Sequence, residues 1–425
     1  MICEGQSLKI REVLKRFLEE ISGASILQRK LRIEREILKF NSHCWDLSAL
    51  RHLFLLSIGK AASSMGEGMM DLLRPNFHGS LHGLAVTKYQ HGLSVAGMKT
   101  LEAAHPFPDQ NSQAAAAKVR DALLDLPEQS CGVLVLLSGG GSSLLCEPVD
   151  GLSLEEKSDL HFSLVRSGAP IDHINQVRAA FSKIKGGGLV PLLGEREALV
   201  LVLSDVIGND LSMVSSGPFY PPQKKISISE ILNRYSIQLP AHIRQRAISD
   251  SFVQPQREIP HLLLADLSHG LGILEDLFQG FGRVEVLREP LVANLEDSAQ
   301  ILTERFLNHQ CPVLLGGGES TLQIHGTGKG GRNMHFTCQA ALNLLEKGHR
   351  NFVVFSIGTD GTDGPTDAAG GIIHGREIKA QQIDELRVAL DQQNTYPFLE
   401  SIGGLLKTGP TGTNLNDIHG IISDP

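Results

Sequence analysis

The sequence predicts an α/β protein of two domains built on largely parallel sheets, and three observations carry this. Short runs dense in Leu, Val and Ile recur without polar alternation, as strands buried on both faces require. Most of them are followed by a helical stretch, the alternation expected of parallel sheets covered by helices. The 425 residues suffice for two or three cores at about 150 residues each.

In chain order, Ile10-Arg-Glu-Val-Leu-Lys-Arg-Phe-Leu-Glu-Glu reads as a charged amphipathic helix rather than a signal peptide. Strands are predicted at Leu53 to Ile58, Gly83 to Val86, Val133 to Leu137, Leu199 to Leu203, Leu262 to Leu264, Val313 to Leu315 and Phe352 to Ile357. Helices are predicted at Ser112 to Leu126, Leu154 to Arg166, Leu295 to Asn308 and Gln339 to Lys347. Pro-rich segments after Tyr220 and before Gln256 bracket a modest helical stretch, Ser229 to Tyr235, and the domain boundary falls near residue 250, giving domains 1–250 and 251–425. The charged, Gln-rich stretch from His374 to Thr395 reads as surface helix and loop.

Hydrophobic residues at 41%, charged residues at 20% and mean hydropathy of -0.03 are ordinary globular values, and no apolar run approaches the roughly 18 residues of a membrane span. A net charge of -8 with only 5% aromatics argues against a nucleic-acid partner. Six cysteines without a C-x-x-C pair are expected to be reduced, buried and structural, as in a cytoplasmic protein. Glycine is the departure, at 44 residues.

Ligands of open α/β sheets lie beyond the carboxyl ends of strands. Those ends read Ser57-Ile58-Gly59-Lys60, Ser138-Gly139-Gly140-Gly141-Ser142-Ser143, Ser204-Asp205-Val206-Ile207-Gly208-Asn209-Asp210, Gly316-Gly317-Gly318-Glu319-Ser320 and Gly358-Thr359-Asp360-Gly361-Thr362-Asp363-Gly364. The Ser138–Ser143 turn suits a phosphate or carboxylate. Its bare backbone lets N–H groups approach, its serines add donors, and a following helix adds its positive end; a tight turn without a ligand is the plain alternative. Lys60 opens a helix of small residues, where a cation opposes the macrodipole and an anionic ligand would compensate it.

The loop Gly326 to Asn333 holds Lys329 and Arg332 among glycines. It matches G-x-G-x-x-G, yet the acid expected about twenty residues later is missing, so a clamp on nucleotide or phosphoryl oxygens fits it better. No Walker A motif occurs. Among the carboxylates, Asp205, Glu319 and Asp360 are the functional candidates, with Asp205 and Asp360 as Mg²⁺ ligands. Capping and turn formation explain Asp363 and Asp367 equally well. His105 and His173 are candidate substrate contacts, though ordinary loop and helix positions account for both.

As a set, Ser57-Ile-Gly-Lys-Ala-Ala, Ala104-His-Pro-Phe-Pro-Asp, the Ser138–Ser143 turn, Asn175-Gln-Val-Arg-Ala-Ala-Phe-Ser-Lys-Ile-Lys-Gly-Gly, Ser204-Asp-Val-Ile-Gly-Asn-Asp, Gly316-Gly-Gly-Glu, Gly328-Lys-Gly-Gly-Arg-Asn, Gly358-Thr-Asp-Gly-Thr-Asp-Gly and Thr408-Gly-Pro-Thr-Gly-Thr-Asn-Leu-Asn-Asp resemble the class II glycerate 2-kinases, which carry a MOFRL domain at the C-terminus. The resemblance runs in order along nearly the full chain. It implies a larger Rossmann-like N-terminal domain, a smaller α/β MOFRL domain and an active site in the cleft between them. It also implies ATP- and Mg²⁺-dependent phosphorylation of D-glycerate at the 2-hydroxyl, in the cytoplasm, by a monomer or homodimer with no nucleic-acid or membrane partner.

By position, Lys60 and Arg332 correspond to the essential cations and Asp205, Glu319, Asp360 and Asn414 to polar site residues. Ser138 to Ser143, Asn175, Arg178 and Lys185 are expected to hold substrate carboxylate or phosphate, joined by Lys329 and Asn333. An aspartate, Asp205 or Asp360, holds Mg²⁺ or accepts the hydroxyl proton. Two departures from the family pattern stand out. Met334-His335 replaces Gln-Glu after Arg-Asn, and Asn209 replaces the first Asp after Gly208. An NAD(P)H-dependent hydroxypyruvate reductase and a non-catalytic metabolite-binding homologue are the alternative readings.

Overall fold

All seven apolar runs are strands in the computed structural model, which describes residues 2–220, 227–239, 243, 257–309 and 311–424, with side chains from residue 8 onward. The chain forms two units, residues 26–264 and residues 265–425 together with 1–25. The boundary expected near residue 250 lies outside the described residues.

In the first unit a small antiparallel ribbon, β1 (Arg32–Glu34), β2 (Ile37–Phe40) and β3 (His43–Asp46), precedes the main sheet. That sheet contains β4 (His52–Ile58), β5 (Ser80–Lys88), β6 (Met98–Ala103), β7 (Cys131–Leu137), β8 (Glu197–Leu203) and β9 (His261–Ala265) in the order β6-β5-β4-β7-β8-β9. The pairings β6–β5, β5–β4, β4–β7 and β7–β8 are parallel. Counted from β4 this is the Rossmann order 3-2-1-4-5-6, so the chain leaves β4 and β7 on opposite sides and opens a crevice at their carboxyl ends. Every residue of β7 is buried, as a central strand covered on both faces should be. The unpredicted β6 is an edge strand whose Lys99, Thr100 and Glu102 interrupt any apolar run.

Helices cover this sheet where the sequence places them. Gln110–Leu124 starts at Asp109, whose carboxylate accepts from the Ser112 N–H; Leu154–Arg166, which packs beside the sheet with other helices, starts with a reciprocal Ser153/Glu156 capping box. The core joins Leu56, Val86, Val135 and Val200 of the strands to Ala116 and Val119 of the Gln110 helix. A satellite core of Leu160, Leu164, Ile174, Val177, Phe181 and Ile231 holds the helices Leu154–Arg166, Ile171–Ala180 and Ile228–Arg234 together.

The second unit has a mixed sheet of β10 (Val284–Val286), β11 (Val313–Gly318), β12 (Phe352–Gly358), β13 (Gly370–His374), β14 (Leu405–Leu406) and β15 (Asp417–Ser423), ordered β10-β11-β15-β12-β13-β14. Only β10–β11 is parallel, so the expectation of largely parallel sheets holds for the first unit and not for the second. The cause is connection length. Residues 359–369 between β12 and β13 are too few for a helical crossover, and the chain turns back on itself. The last strand, β15, then inserts between β11 and β12. Gly420 admits that insertion, because a Cβ there would lie 2.3 Å from the Phe355 ring.

The first helix, Ile2–Glu20, belongs to this second unit. Ile10 and Phe17 are fully buried, and the Arg11 guanidinium donates to the carbonyls of Leu405 and Gly403 at 2.9 and 2.7 Å. Cys131, Cys146, Cys311 and Cys338 are buried free thiols, but Cys44 is exposed. The short β2–β3 ribbon turns Trp45 inward and its neighbour outward, which corrects the expectation that all six cysteines are buried; the side chain of Cys3 lies outside the described residues. Among the described residues, no helix is long and apolar enough to cross a membrane.

Candidate active site

The crevice of the parallel sheet is built by two strand ends locked to each other. The Ser138 N–H donates to the Ile58 carbonyl, the Lys60 N–H to the Gly139 carbonyl, both at 2.9 Å, and the Ala61 N–H to Ser138 Oγ at 3.1 Å. Gly59 has φ +122, and a Cβ there would meet Ser138 Oγ at 2.2 Å, so only glycine lets the strands close this tightly. Lys60 therefore emerges at the switch point. Its side chain passes over Gly140, whose hypothetical Cβ would lie 3.0 Å from Lys60 Cγ and 3.3 Å from His105 Cδ2. The following helix, Ala62–Leu73, buries Ala62, Ser63, Ser64, Met65 and Gly66, as its small residues predict.

The Ser138–Ser143 turn is polar and tightly held. Gly141 N–H donates to Ser215 Oγ at 2.9 Å and Ser215 Oγ to the Ser138 carbonyl at 2.6 Å. The helix after it spans only Gly141–Leu144, one turn, so the expected contribution from a helix dipole is replaced by individual N–H groups and hydroxyls. Ser142 gathers the basic residues. Arg178 and Lys185 both donate to its Oγ, Lys185 at 2.7 Å, and Lys185 also reaches its carbonyl. Arg178 in turn donates to Asn175 Oδ1 at 3.1 Å. Burial, with Arg178 and Lys157 nearby, holds the Lys185 ammonium well below its ordinary pKa, and burial lowers Arg178 too.

Asp205 follows β8 and is half-buried. Asp210 is a turn former, its carboxylate accepting from the Ser212 N–H and hydroxyl at 3.0 and 2.5 Å. The Asn209 departure is compatible with its backbone, although the family's Asp would be too. Gly208 and Asn209 have φ +85 and +55, the left-handed region where Asn is among the few tolerated side chains. His173 hydrogen-bonds the Tyr235 hydroxyl at 3.0 Å and packs on its ring, the ordinary helix role.

In the second unit Arg332 is the first residue of the helix Arg332–Glu346. Its guanidinium is 2.6 Å from Asp417 Oδ2 and 2.7 Å from Glu319 Oε1. Burial opposes the guanidinium charge, and the Asp417 and Glu319 carboxylates more than restore it, so its pKa is raised. Burial pushes the Asp417 carboxyl up, while Arg332 and Asn333 pull it back. Asn333 donates to Asp417 Oδ1 at 3.0 Å and accepts from Ser356 Oγ at 2.6 Å; Ser356 Oγ is 2.8 Å from His419 Nδ1. Burial holds His419 near a pKa of about 3. The imidazole is thus neutral, and because the Ser356 proton goes to Asn333, His419 Nδ1 must carry a hydrogen and donate. Asp363 accepts from the N–H groups of Asn333 and Met334 at 3.0 and 2.8 Å, the capping role anticipated for it.

The remaining candidates are spread around this network. Asp360 is buried and accepts from the Thr362 N–H and hydroxyl, both at 3.0 Å. Asn414 is buried, one residue before Leu415, whose N–H donates to Thr359 Oγ1 at 2.8 Å. The Lys329 ammonium sits 3.6 Å over the Tyr396 ring. Asp367 accepts from Tyr396 and Lys407 at 2.7 and 2.8 Å, a surface structural role. Of the two family departures in the helix, Met334 is packed in the core and His335 lies 3.9 Å from Glu296 of the neighbouring helix Leu295–His309. Asp417, Ser356 and His419 were given no role in the sequence reading: Asp417 lies 84 and 85 residues from Asn333 and Arg332, Ser356 23 residues from Asn333, and His419 63 residues from Ser356.

No group of three or more His, Cys, Asp or Glu able to hold a metal occurs among the described residues. This donor set fits Mg²⁺ bound chiefly through phosphate oxygens and water, with one or two carboxylates assisting; it does not fit a closed all-protein cage. The G-x-G-x-x-G match also lacks its context. Gly326 lies eight positions beyond the end of β11, in a sheet that is mostly antiparallel, and not at the first turn of a parallel β-α-β unit.

The chain matches the domain of unknown function DUF4147 over residues 9–247 and the MOFRL family over residues 312–417. It is 34% identical to a D-glycerate 2-kinase of Thermotoga maritima, covering 87% of this chain and 90% of that one, and 34% identical to a glycerate 2-kinase of Pyrococcus horikoshii, covering 86% of each. An Agrobacterium vitis chain provisionally named a hydroxypyruvate reductase is also 34% identical, over 87% of this chain and 86% of that one. A crystal structure of Thermotoga maritima glycerate kinase superposes with a TM-score of 0.81 at 30% identity, covering 99% of this chain and 100% of that one. With these likenesses spanning both units and the strand-end motifs in place, the chain belongs to the glycerate 2-kinase family.

Proposed function

We propose that the protein transfers the γ-phosphoryl group of ATP to the 2-hydroxyl of D-glycerate, giving 2-phospho-D-glycerate and ADP, with Mg²⁺ assisting. The observation that carries this reading is Lys60, held over the glycine turn at the switch point of a Rossmann-ordered sheet. That position suits an anionic substrate. In the transfer the hydroxyl oxygen bonds to the γ-phosphorus, the bond to the β–γ bridging oxygen breaks, and the hydroxyl proton passes to a carboxylate, Asp205 or Asp360. Phosphoryl transfer asks mainly for positioning and charge neutralisation, which Lys60 and Arg332 supply.

The Ser138–Ser143 turn with Asn175, Arg178 and Lys185 receives the acid, while Glu319, Lys329, Asn333 and Asn414 serve the phosphates and orient Arg332. Mg²⁺, when bound by Asp205 or Asp360, adds charge neutralisation across the phosphates. The proposal includes a cytoplasmic setting and a monomer or homodimer. A coupled ADP-release assay across D-glycerate, L-glycerate and tartronate, with product NMR, tests it; no ADP formation with D-glycerate defeats it. The reductase name borne by one relative motivates a parallel assay with hydroxypyruvate and NADH or NADPH, in which steady oxidation without ATP would favour that reading instead.

A further inference from the structure

The helix Leu154–Arg166 breaks the rule that amphipathic helices bury apolar residues. On its buried stripe, Leu160 and Leu164 share the face with Lys157 and His161. Lys157 is only 8% exposed, and among the described residues its ammonium has no hydrogen-bond partner. Burying an unpaired charge is costly, and a packed apolar side chain of similar length would remove that cost. Such a local violation marks a site where function is favoured over stability.

Lys157 and His161 line a cavity of about 200 Å³ together with Ser142, Ser143, Arg178 and Lys185. Three cations and an imidazole therefore converge without a carboxylate in the lining. The charged and titratable groups acting on Lys157 are Arg178, Cys146 and Glu147. Glu147 Oε1 is committed to Arg120 at 2.5 Å and Lys183 at 3.2 Å, and its Oε2, buried without a hydrogen-bond partner among the described residues, does not line the cavity. Ser142 and Asn175 take the hydrogen bonds of Arg178 and Lys185, which leaves the Lys157 ammonium as the donor without an acceptor among the described residues. The cavity's other walls are apolar, including Phe107, Phe162 and Val177, and suit a carbon skeleton more than a second phosphate. The space is smaller than the roughly 300–1,000 Å³ of pockets that enclose drug-sized ligands and suits a small acid.

We propose that this cavity is a carboxylate subsite, in which Lys157, with His161, Arg178 and Lys185, receives the carboxylate of a small hydroxy acid and leaves its hydroxyl end at the Ser142–Ser143 turn. This rests on the kinase reading for the acid's fate, though not for its binding. Lys157 and His161 then set specificity for the acid, separately from the strand-end residues that handle phosphate.

The test is calorimetric binding of D-glycerate, acetate, glycerol and inorganic phosphate to the wild-type protein and to Lys157→Met, alongside KM values for D-glycerate and ATP. Lys157→Met is expected to weaken D-glycerate tenfold or more in both Kd and KM, to leave the ATP KM within twofold, and to leave the thermal midpoint at or above wild type. In the wild type, D-glycerate binding near pH 8 is expected to take up protons, seen as a dependence of the heat on buffer, and this uptake should fall in the variant, where Lys157 no longer contributes to it. Unchanged D-glycerate affinity in a folded Lys157→Met protein overturns the subsite. So does inorganic phosphate binding that is lost in the variant while D-glycerate binding persists, or glycerol binding as tightly as D-glycerate. If the wild type forms no ADP yet binds D-glycerate through Lys157, the kinase reading fails and the subsite stands. If it forms ADP and the variant keeps its KM, the subsite alone fails.

Discussion

Arg332 grips Asp417 with two nitrogens, Nε at 2.6 Å from Oδ2 and Nη2 at 3.2 Å from Oδ1, and Asp417 is almost fully buried. A fork-to-fork pair of this kind fixes direction as well as charge. Asp417 is thus the residue that positions Arg332 at the start of its helix. Removing Asp417 leaves Arg332 with Glu319 and partial solvent contact, so the cost falls below the roughly 3–5 kcal/mol of stranding a fully buried charge. Asp417→Ala should lower the denaturation midpoint and cut kcat more than tenfold. Asp417→Asn should recover much of the stability and little of the kcat, and equal recovery of both would deny the positioning role.

Lys60→Ala and Arg332→Ala should each lower kcat by more than tenfold, a barrier change above about 1.4 kcal/mol, in proteins that still fold. Steady-state ADP release measures this. Two variants both within tenfold of wild type would rule out the two-cation mechanism.

Gly140→Ala tests Lys60 from the other side of the contact. With φ +89 and a Cβ 3.0 Å from Lys60 Cγ, the substitution should cost about 1–2 kcal/mol of stability and displace the lysine, lowering kcat. Gly168 offers the control, having φ +72 and nothing within 4 Å of its Cβ. Gly168→Ala should show a comparable stability loss with kcat intact; activity loss in both would make the effect one of stability alone.

Burial lowers Lys157 to a pKa of about 8 from 10.5, so between these values the unfolded chain binds the proton that the native state has released. Stability then rises with pH across that interval. Below pH 8 the native state carries the full cost of the buried charge, of order 3 kcal/mol at 1.36 kcal/mol per unit. Lys157→Met should therefore be more stable than wild type at pH 7 and lose that advantage by about pH 10.5. Chemical denaturation at pH 7, 9 and 10.5 measures the difference, and a constant offset between the two proteins would contradict it.

Ser356→Ala should break the chain from His419 through Asn333 to Asp417. Leaving the buried Asn333 oxygen and His419 nitrogen unsatisfied costs about 1–3 kcal/mol each. A several-fold drop in kcat with the KM for D-glycerate unchanged is expected, because among the described residues the hydroxyl bonds to Asn333 and His419. A rise in KM instead would place Ser356 in substrate binding.

Strands such as β4, β7 and β12 were legible because burial on both faces writes itself as unbroken apolar sequence. β6, β13 and β15 were not: the first alternates as an edge strand, and the other two carry Gly and His at positions where neighbouring strands press close. The strand-end glycines pointed to the site directly, since a missing side chain is itself the signal. Asp417 and Ser356 gave no such signal. Their roles arise from β15 pairing between β11 and β12, a long-range event that no local pattern announces. Lys157 and His161 were concealed differently, as ordinary polar residues in a helix whose buried face only packing reveals.

The first helix, which packs with the final third of the chain, has a consequence for synthesis. Residues 1–25 leave the ribosome before the 26–264 unit and yet belong to a body completed only by β15. At about 5–20 residues per second their partners arrive tens of seconds later. The buried face of Ile10, Leu14 and Phe17 must remain uncommitted through that interval, an exposed apolar stripe on the nascent chain.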